Sequence, residues 1–519
     1  MQTETATTPQ ALFRLAHARP DGLAVADGDV RLTWAELQDE VLLTARLFAA
    51  QGVAPKDRVA LWAPNSHHWV IAALATHYCG ATLVPINTRY TGHEALDIVT
   101  RTSAKALVVA APFLGIDRLA KLREAAGDGG LPGLATVLQI PTGDASPLPD
   151  GVLGWDERAE HAAPVAVQRI NMRSAQVRPN DVSDILFTSG TTGRSKGVLS
   201  AHRQVIGVAR AWAECGEVTA DDRYLVINPF FHSFGYKAGI VACLLTGATI
   251  VPQAVFDPVA AMQLIQDERI TVLPGAPTIY QTILDSPERA DYDLSSLRFA
   301  VTGAAVVPVA LVERMQRELT FDIVLTAFGM TEAVVVTMCR RDDPPEVVAS
   351  TCGRAVADCE IRIGERDELL VRGPNVMLGY LDDPDATAEA IDADGWLHTG
   401  DVGSIDDDGY LRITDRLKDM YISGGFNVYP AEVEQALARL DGVAEAAVIG
   451  IPDERLGEVG LALVVRAPDA AVDTDAVLDF SKQRLANYKV PREVRFVDAL
   501  PRNASGKVLK TDLRKEYVG

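Results

Sequence analysis

The chain has 519 residues, of which 48% are hydrophobic, and this length and composition exclude a small disulfide-stabilised scaffold and a mainly disordered protein. At about 100 to 200 residues per domain, we expect roughly two to four structural units. The 49 lysines and arginines against 70 aspartates and glutamates leave a net charge of −21, which disfavours nucleic acid and anionic membranes as partners. Any anionic ligand therefore requires a local positive site.

Targeting and redox signals favour the cytoplasm. The N-terminal segment is polar and lacks the basic start and the apolar run of a signal peptide. The most apolar stretch, residues 238–252, is shorter than the roughly 18 residues that a membrane-spanning helix needs. The six cysteines are scattered, without the spacing of a disulfide framework or of a zinc site. We therefore expect a cytoplasmic protein without a membrane span.

The first part of the chain alternates strand-like and helix-like segments. Between about residues 20 and 109, short apolar runs are separated by longer stretches with helical periodicity. The first of these stretches begins at Thr33, has Glu36 three residues later as in a capping box, and ends at Gly52. This alternation predicts βαβ units on a largely parallel sheet. Residues 127–182, rich in Gly, Pro, Asp and Ala, are predicted to form a surface loop with little regular structure.

Short β-prone runs follow between residues 184 and 329, most of them ending at turn residues. Because ligands bind at the carboxyl ends of the strands in α/β sheets, we expect binding loops there. A second change of composition near Asp415 begins a stretch of about 100 residues with its own alternation of strands and helices, an ordinary size for a domain. This stretch predicts a small α+β domain with a hinge around residues 416–419.

A glycine-rich loop, TSGTTGRSKG at residues 188–197, directly follows the β-prone run DILF. Its glycines let backbone amides approach an anion, its hydroxyls donate hydrogen bonds, and Arg194 and Lys196 supply positive charge. The loop is not a Walker A motif, because Lys196 is followed by Gly197 instead of Ser or Thr. The alternative is a flexible linker, which rarely carries paired basic residues directly after a strand. The loop therefore predicts a phosphate-binding site.

The same loop resembles the signature loop of the adenylate-forming superfamily, which includes acyl-CoA synthetases, the adenylation domains of peptide synthetases and beetle luciferase. Six further motifs of that family follow in the family's order. They are NPFFHSFGY (228–236), VTGAAVVP (301–308), TAFGMTE (326–332), GWLHTGD (395–401), DRLKDMYISGGFNVYPAEVE (415–434) and PRNASGK (501–507). Because all seven motifs occur in one order, a chance match is very improbable.

The resemblance implies an α/β fold in two parts. Residues 1–415 would form a large N-terminal domain of mixed sheets flanked by helices, with a small barrel-like subdomain. Residues 416–519 would form a small, mobile α+β C-terminal domain. The resemblance also implies an enzyme, an AMP-forming acyl-CoA synthetase, that activates a carboxylate with ATP and Mg²⁺ to an acyl-adenylate and transfers the acyl group to the thiol of coenzyme A.

The family's nucleotide contacts carry over onto matching positions of the motifs. They are Thr188, Ser189, Gly190, Thr191, Thr192, Gly193, Lys196, Gly303, Ala304, Ala305, Phe328, Gly329, Thr331, Asp401 and Arg416. By resemblance, Asp401 accepts hydrogen bonds from both ribose hydroxyls, for which a carboxylate is suited. Lys507 matches the lysine that bridges the carboxylate and the α-phosphate. Lys507, Thr188 and Glu332 are thus the expected catalytic residues, and Glu332 is also the expected Mg²⁺ ligand.

The thioester-forming step is expected to use a second arrangement of the C-terminal domain. In the family this domain rotates about an Arg-x-Lys hinge, which is Arg416-Leu417-Lys418 in this chain. The loop Ser423-Gly424-Gly425 would then line the tunnel for the pantetheine arm of coenzyme A, because its glycines leave room for it. The sequence around this loop resembles the thioester-forming ligases more than luciferase.

His232 and Phe234 fall where the family lines its acyl pocket. Taken together, the motifs are most similar to bacterial steroid-catabolic ligases, which activate the propanoate side chain of the bicyclic indanedione left after removal of the A and B rings of cholesterol. Tyr236 and Lys237, as polar neighbours of the pocket motif, suit an oxygenated ring system. The alternatives are a medium-chain fatty acid or an aryl acid as substrate, or a degenerate nucleotide-binding homologue. The expected partners are the carboxylate, ATP and coenzyme A, with a homodimer as a further possibility.

Overall fold

The computed structural model describes residues 5–131, 133–143, 147–188, 195–303, 307–416, 419–423, 426–453, 455–468, 470–485, 487–502 and 508–518. Contacts within the chain divide it into two compact units. The first unit comprises residues 1–360 and 372–389, and the second comprises residues 361–371 and 390–519. The predicted α/β class, with a large N-terminal part and a small C-terminal part, is confirmed.

The strands are β1 (Leu23–Asp27), β2 (Val30–Thr33), β3 (Arg58–Trp62), β4 (Thr82–Pro85), β5 (Ala106–Ala110), β6 (Thr136–Ile140), β7 (Leu153–Gly154), β8 (Val182–Thr188), β9 (Lys196–Ala201), β10 (Arg223–Val226), β11 (Thr249–Pro252), β12 (Phe299–Gly303), β13 (Ile323–Met330), β14 (Ala333–Met338), β15 (Arg354–Ala355), β16 (Glu360–Ile363), β17 (Glu368–Arg372), β18 (Gly379–Tyr380), β19 (Leu397–Ile405), β20 (Leu411–Arg416), β21 (Tyr421–Ser423), β22 (Phe426–Val428), β23 (Val443–Asp453), β24 (Gly457–Arg466) and β25 (Glu493–Phe496).

The α-helices are α1 (Thr8–Ala18), α2 (Trp34–Ala50), α3 (His67–Tyr78), α4 (Gly92–Arg101), α5 (Arg118–Ala126), α6 (Arg158–Ala162), α7 (Val167–Gln176), α8 (His202–Cys215), α9 (Ser233–Gly235), α10 (Ala242–Thr246), α11 (Pro258–Glu268), α12 (Pro277–Asp285), α13 (Val309–Glu318), α14 (Pro345–Ser350), α15 (Pro384–Ala390), α16 (Pro430–Leu437), α17 (Thr474–Arg484) and α18 (Lys510–Val518). A π-helical segment, Tyr236–Val241, connects α9 to α10. Short 3₁₀ helices span Gly127–Gly129, Trp155–Glu157, Pro287–Asp291, Glu365–Asp367 and Asn487–Lys489.

The largest sheet of the first unit has eight strands in the order β18-β9-β8-β4-β3-β5-β6-β7. Its strands β4, β3, β5 and β6 run parallel, with α3 and α4 as the connections between β3, β4 and β5. This arrangement confirms the predicted βαβ units. At the other side, β9 pairs antiparallel with both β8 and β18. Two four-stranded sheets, β10-β11-β1-β2 and β12-β13-β14-β15, complete the unit's described strands.

The predicted first helix is confirmed as α2. The Thr33 hydroxyl caps it by accepting from the Glu36 backbone N–H, and a Glu36 carboxylate oxygen accepts from the Thr33 backbone N–H at 2.8 Å. This capping box satisfies backbone donors that have no partner within the helix. Gly52 follows the helix with φ of 87°, a left-handed conformation that favours glycine. The face of α2 with Trp34 and Leu37 is buried in the core.

Residues 127–182 are more regular than predicted. They contain β6, β7, α6 and α7 in addition to loops, so the expectation of a surface loop with little regular structure was wrong. Strand β6 lies between β5 and β7 and is buried along its whole length, so its sequence shows no alternation of polar and apolar residues. Helix α7 is mostly polar and buries Ile170, so its composition resembles that of a surface loop.

The most apolar stretch, residues 238–252, is divided among the π-helical segment, α10 and β11. Most of its residues are buried in the core of the first unit. None of the helices in the described part of the chain combines the length and the apolar character that a bilayer span requires.

The second unit contains two sheets among its described residues. One has the order β16-β17-β19-β20, and the other has the order β22-β21-β24-β23 with β25 paired to β24. The second sheet packs its apolar faces under α16, α17 and α18, with Tyr421, Val433 and Leu513 buried. By their contacts, residues 361–371 and 390–415 group with this unit, because their strands share one sheet with β20. The domain boundary after residue 415 stays a prediction.

The hinge at residues 416–419 stays a prediction. Residues 417 and 418 lie outside the described ranges.

Candidate functional site

The predicted phosphate loop connects two antiparallel strands, β8 and β9. Thr188 ends β8 and lies directly opposite Lys196, the first residue of β9. The Thr188 hydroxyl donates to the Lys196 carbonyl oxygen at 3.4 Å, so both ends of the loop are held together. The intervening candidates, Ser189, Gly190, Thr191, Thr192 and Gly193, lie outside the described residues. The structure therefore describes the base of the loop, where Thr188 and Lys196 lie opposite each other.

Arg101 supports the exit of this loop. Its guanidinium donates to the Ser195 carbonyl oxygen at 2.7 Å and pairs with Asp97 at 3.2 Å on the preceding turn of α4. It also lies 5.2 Å from the centre of the Phe187 ring, on the strand that enters the loop. Arg101 therefore connects the helix of a neighbouring βαβ unit to both ends of the phosphate loop.

The adenine and metal candidates meet on the sheet β12-β13-β14-β15. Gly303 ends β12 beside Ala327 of β13, and the half-buried Phe328 follows in the same strand. A Cβ at Gly303 would come 2.9 Å from the Ala327 carbonyl oxygen, so this close approach of the two strands requires glycine. The next candidates, Ala304 and Ala305, are outside the described part of the chain.

Thr331 and Glu332 form the two-residue turn between β13 and β14. Met330 pairs with Ala333 across this turn, and a bulge between Phe328 and Met330 contains Gly329. The turn projects from the sheet end, so both side chains are only partly buried. Gly329, Thr331 and Glu332 thus lie at the same edge of one sheet as Gly303 and Phe328.

Tyr380 links the two groups of candidates. Its hydroxyl donates to Glu332 Oε1 at 2.9 Å, and the Lys196 ammonium lies 4.7 Å from the centre of its ring. Burial and the neighbouring Glu332 carboxylate raise the pKa of Tyr380, so its hydroxyl stays protonated and can donate. The structure therefore brings both Lys196 of the phosphate loop and Glu332 of the turn into contact with one aromatic side chain.

The acyl-pocket candidates lie on the segment that enters α9. The His232 Nδ1 atom accepts from the Phe234 backbone N–H at 3.2 Å, so a neutral ring carries its proton on Nε2. The His232 side chain is exposed on this segment. Desolvation by the protein atoms packed around the ring, together with the charge of Lys237, lowers the pKa of His232. The half-buried Phe234 ring packs edge-on against Trp212 at 5.4 Å between centroids. His232 is thus a neutral hydrogen-bond donor at an accessible position.

Asn65 holds this segment in place. Its amide donates to the carbonyl oxygens of Val226 and Asn228 at 3.1 Å and 3.0 Å, and its carbonyl oxygen accepts from the Phe230 backbone N–H at 2.8 Å. The side chain is buried, so these backbone groups depend on it for their hydrogen bonds. Asn65 precedes α3 and therefore anchors the acyl motif to a different part of the first unit.

Tyr236 and Lys237 do not have the role that the sequence suggested. Lys237 is 1% exposed, pairs with the buried Asp184 at 3.0 Å, and donates to the Ser200 hydroxyl at 2.8 Å. Tyr236 is fully buried in the same core. The π-helical segment turns both side chains inward, where a buried charge needs a partner, so neither is available to an oxygenated substrate.

The ribose candidates belong to the second unit. Asp401 on β19 lies directly opposite Arg416 on β20, and its side chain is 3% exposed. The Asp401 backbone N–H donates to the Thr399 hydroxyl at 3.1 Å. The structure thus places two of the expected nucleotide contacts, Asp401 and Arg416, on adjacent strands, although only the backbone of Arg416 is described.

The coenzyme A candidates begin at the end of β21. Ser423 is buried and pairs with Gly457 of β24. The remaining candidates of the second unit, Lys418, Gly424, Gly425 and Lys507, lie outside the described residues.

Sequence reasoning missed Tyr380, Arg101 and Asn65. Tyr380 follows Gly379 just before the turn residues LDDPD, and Arg101 and Asn65 are a single charge and a single amide in their segments. None of the three lies in a local sequence pattern that indicates its role. Their roles depend on contacts with residues far along the chain, which no local pattern reveals.

The chain is similar to characterised enzymes over nearly its whole length. Residues 12–381 match the model of the AMP-binding enzyme family, and residues 432–507 match that of the AMP-binding enzyme C-terminal domain. It is 64% identical over 518 residues to the 3-[(3aS,4S,7aS)-7a-methyl-1,5-dioxo-octahydro-1H-inden-4-yl]propanoyl:CoA ligase of Rhodococcus jostii strain RHA1, covering 99% of this chain and 100% of the relative. It is 59% identical to the ligase of the same name from Mycobacterium tuberculosis strain H37Rv, again covering 99% and 100%.

A solved structure, ATP-bound MatB from Rhodopseudomonas palustris, superposes with a TM-score of 0.85 at 30% identity, covering 98% of this chain and 99% of the other. The prediction of an acyl-CoA synthetase of the adenylate-forming superfamily is confirmed, and a degenerate, non-enzymatic homologue is disfavoured. This chain belongs to the AMP-binding enzyme family.

Proposed function

We propose that this enzyme couples the propanoate side chain of a methylated, bicyclic indanedione to coenzyme A, through an acyl-adenylate and with release of AMP and pyrophosphate. The observation that carries the proposal is the 64% identity, over 99% of the chain, to the Rhodococcus jostii ligase named for that propanoyl group. Within the site, the neutral His232 with its proton on Nε2 supports it, because an N–H donor suits a substrate carboxylate or ring carbonyl. A medium-chain fatty acid or an aryl acid remains the alternative substrate.

In the first step a carboxylate oxygen of the acid attacks the α-phosphorus of ATP, and pyrophosphate leaves. Both reactants are anionic, so the site must concentrate positive charge where the new bond forms. Lys196 would hold the β- and γ-phosphates at the base of the loop, with Thr188 and residues 189–193 supplying further donors by resemblance. Lys507 would neutralise the carboxylate and the α-phosphate in this step.

Glu332 fits a Mg²⁺ site. A hard cation prefers oxygen ligands, and Mg²⁺ commonly takes one or two carboxylates together with substrate phosphates and water. In the described residues no three His, Cys, Asp or Glu side chains converge. Glu332 would supply a carboxylate ligand beside phosphate and water oxygens. When bound, Mg²⁺ would neutralise charge on the phosphates.

In the second step the sulfur of coenzyme A attacks the acyl carbon, the thiol loses its proton, and AMP leaves with the electrons of the acyl–phosphate bond. Asp401 would retain the ribose of the adenylate through both steps, because its carboxylate can accept from two hydroxyls. The loop Ser423-Gly424-Gly425 would admit the pantetheine arm. A rotation of the C-terminal domain, a homodimer and a cytoplasmic location stay predictions.

The substrate is tested by a panel of acids with ATP and coenzyme A. We expect kcat/KM for the indanedione propanoate to exceed that for octanoate and ferulate by at least about 10²-fold, because a pocket that hydrogen-bonds ring carbonyls is left with unpaired polar groups when an acid without those carbonyls binds. Equal or better turnover of octanoate or ferulate would replace the steroid substrate with that alternative.

The adenylation step is tested by carboxylate-dependent exchange of pyrophosphate into ATP. Lys507→Ala should reduce exchange at least about 10²-fold, on the scale of losing one preorganised charge contact. Lys515→Ala is the matched control, because that lysine on α18 has a side chain that is 82% exposed. Exchange near that of the unsubstituted enzyme in Lys507→Ala would contradict the assignment.

A further inference from the structure

Tyr380 occupies a position between the phosphate loop and the Thr331-Glu332 turn. It ends a short segment, residues 374–380, that contacts both. On one side the Met377 backbone N–H donates to the Glu332 carbonyl oxygen at 2.7 Å. On the other side, Gly379 and Tyr380 pair with Leu199 and Val198 of β9, the strand that begins at Lys196. The segment is thus a physical connection between the two parts of the nucleotide site.

Side chains of the first unit fix this segment. Asn375 donates to the Val334 and Val335 carbonyl oxygens at 3.3 Å and 3.1 Å, which attaches the segment to β14. Gln204 of α8 donates to the Val376 carbonyl oxygen. The backbone around Tyr380 is therefore held independently of its side chain, and the side chain itself is only partly buried.

The contacts of the Tyr380 side chain are directed at two candidate functional groups. The hydroxyl donates to Oε1 of Glu332 at 2.9 Å, and among the described residues Oε2 has no hydrogen bond. The ring face lies 4.7 Å from the ammonium of Lys196. A hydrogen bond to a charged group orients that group strongly, and a ring face attracts an ammonium ion.

We propose that Tyr380 is a positioning residue for the adenylation reaction: its hydroxyl holds one carboxylate oxygen of Glu332 so that the other faces the metal of MgATP, while its ring supports Lys196 beside the phosphates. The proposal deepens the proposed function and rests on Glu332 as metal ligand. Tyr380 alone would thus align the metal ligand Glu332, from one sheet, with the phosphate ligand Lys196, from another.

Two substitutions separate the two contacts. Tyr380→Phe removes the hydroxyl and keeps the ring, so it should loosen Glu332 and leave Lys196 in place. Tyr380→Leu removes both contacts. Tyr292→Phe is the matched control, because Tyr292 lies in the same unit, is also partly buried, and its hydroxyl has no hydrogen bond to the described residues.

The primary measurement is binding of Mn²⁺ in the presence of α,β-methylene-ATP, followed by the electron paramagnetic resonance signal of free Mn²⁺. Tyr380→Phe should weaken this binding about 10-fold, the typical effect of one lost hydrogen bond to a charged group. Binding of the same nucleotide in EDTA should be unchanged in Tyr380→Phe and weakened in Tyr380→Leu, because only the second variant disturbs Lys196. Thermal unfolding midpoints establish that the variants fold, and Tyr292→Phe should bind like the unsubstituted enzyme.

A double-mutant cycle with Glu332→Ala decides whether Tyr380 acts through Glu332. In the Glu332→Ala background, Tyr380→Phe should cause no further loss of Mn²⁺ binding. A further 10-fold loss there, or binding in Tyr380→Phe equal to that of the unsubstituted enzyme while Glu332→Ala binds poorly, would overturn the positioning role alone. If Glu332→Ala itself binds Mn²⁺ normally, the metal assignment in the proposed function is wrong, and the positioning role fails with it.

The kinetic counterpart is the pyrophosphate exchange reaction. Tyr380→Phe should raise KM for MgATP about 10-fold and leave KM for the acid unchanged. An equal rise in both constants would indicate a general structural defect and would also overturn the proposal.

Discussion

The Lys237 ammonium and the carboxylate of Asp184, which lies on β8, the strand that ends at the phosphate loop, form a fully buried ion pair 3.0 Å apart. Lys237 also donates to the Ser200 hydroxyl on β9, so the pair joins the π-helical segment to both strands of the β8–β9 hairpin. Burial raises the pKa of Asp184, and the Lys237 charge opposes that effect. The acyl motif and the phosphate loop therefore share one buried electrostatic support.

Removing one member of this pair should be strongly destabilising. Lys237→Met leaves an unpaired buried carboxylate, and we expect the free energy of unfolding to fall by about 3–5 kcal/mol. Asp184→Asn should have a comparable effect, whereas the double variant should lose clearly less than the sum, because no uncompensated charge remains. Chemical denaturation followed by tryptophan fluorescence measures these changes. Additive losses in the double variant would show that the ion pair is not the relevant interaction.

A buried histidine pair should make the stability of the first unit depend on pH. The Thr8 hydroxyl lies 2.7 Å from His77 Nδ1 and 3.2 Å from His202 Nδ1, and His77 Nε2 lies 3.1 Å from the Ser183 carbonyl oxygen. Burial lowers the pKa of His77 from 6.5 to about 4 and lowers that of His202 as well. Both rings are therefore neutral in the folded chain at neutral pH.

The sign of the effect follows from proton uptake on unfolding. Below pH 6.5 the unfolded chain binds a proton at His77 that the folded chain does not bind until about pH 4. The stability is thus complete above the unfolded pKa and falls as the pH drops towards the folded pKa, by about 1.4 kcal/mol per pH unit for each such histidine. His77→Asn should reduce this slope by one proton. Thr8→Val should lower the overall stability but keep the slope, and an unchanged slope in His77→Asn would contradict the prediction.

Asn65 should affect use of the acid more than use of ATP. Asn65→Ala leaves the Val226 and Asn228 carbonyls and the Phe230 N–H without their buried partner, at a cost of about 1–3 kcal/mol for each unsatisfied group. Because this segment carries His232, we expect a higher KM for the acid at an unchanged KM for ATP. Steady-state kinetics with each substrate varied in turn gives both constants.

The neighbouring Ser66→Ala is the control for this experiment. Ser66 caps α3 by accepting from the Trp69 backbone N–H, so its loss should cost about 1 kcal/mol of stability without changing KM for the acid. A similar rise of KM in both variants would assign the effect to α3 and not to the acyl segment.

Gly235 should not tolerate a side chain. A Cβ there would overlap the carbonyl oxygens of Asn228 and Pro229, which are backbone atoms that cannot turn away. Gly235→Ala should therefore displace the segment with His232 and Phe234 and lower both the thermal unfolding midpoint and the rate of acyl-adenylate formation. Gly207→Ala is the matched control on α8, where a Cβ would meet no atom within 4 Å. That variant should be stabilised by up to about 1 kcal/mol with normal activity, and normal activity in Gly235→Ala would refute the expected displacement.

A substitution in the loop after β21 should block the second half-reaction and spare the first. Gly424→Trp is expected to spare carboxylate-dependent pyrophosphate exchange and to abolish thioester formation, because an indole would fill the proposed path of the pantetheine arm. The exchange assay and a coenzyme A consumption assay on the same preparation measure the two steps. Equal loss of both activities would exclude the tunnel role, which rests on the sequence because Gly424 lies outside the described residues.

Much of the fold and of the site could be predicted because the residues that form it lie close together in the sequence. The capping box of Thr33 and Glu36 was predictable because both partners lie within one helical turn. The motif with Thr331 and Glu332, and the loop that begins at Thr188, were recognisable because their residue types are required within a few consecutive positions. Strand β6 was missed because burial on both faces removes the alternation of polar and apolar residues. Helix α7 was missed because its mostly polar composition resembles that of a loop.

The tertiary structure alone decided which side chains meet. Asp184 and Lys237, or Glu332 and Tyr380, are far apart along the chain and carry no pattern that relates them. Lys237 was therefore expected, as a polar neighbour of the pocket motif, to suit an oxygenated substrate, whereas the π-helical segment turns it into the core and Asp184 neutralises it. The residues of a motif lie close together in the sequence and perform one chemical task, so a motif can be recognised from the sequence directly. Ion pairs and hydrogen bonds between distant segments depend on how strands pair and helices pack, and only the folded chain determines them.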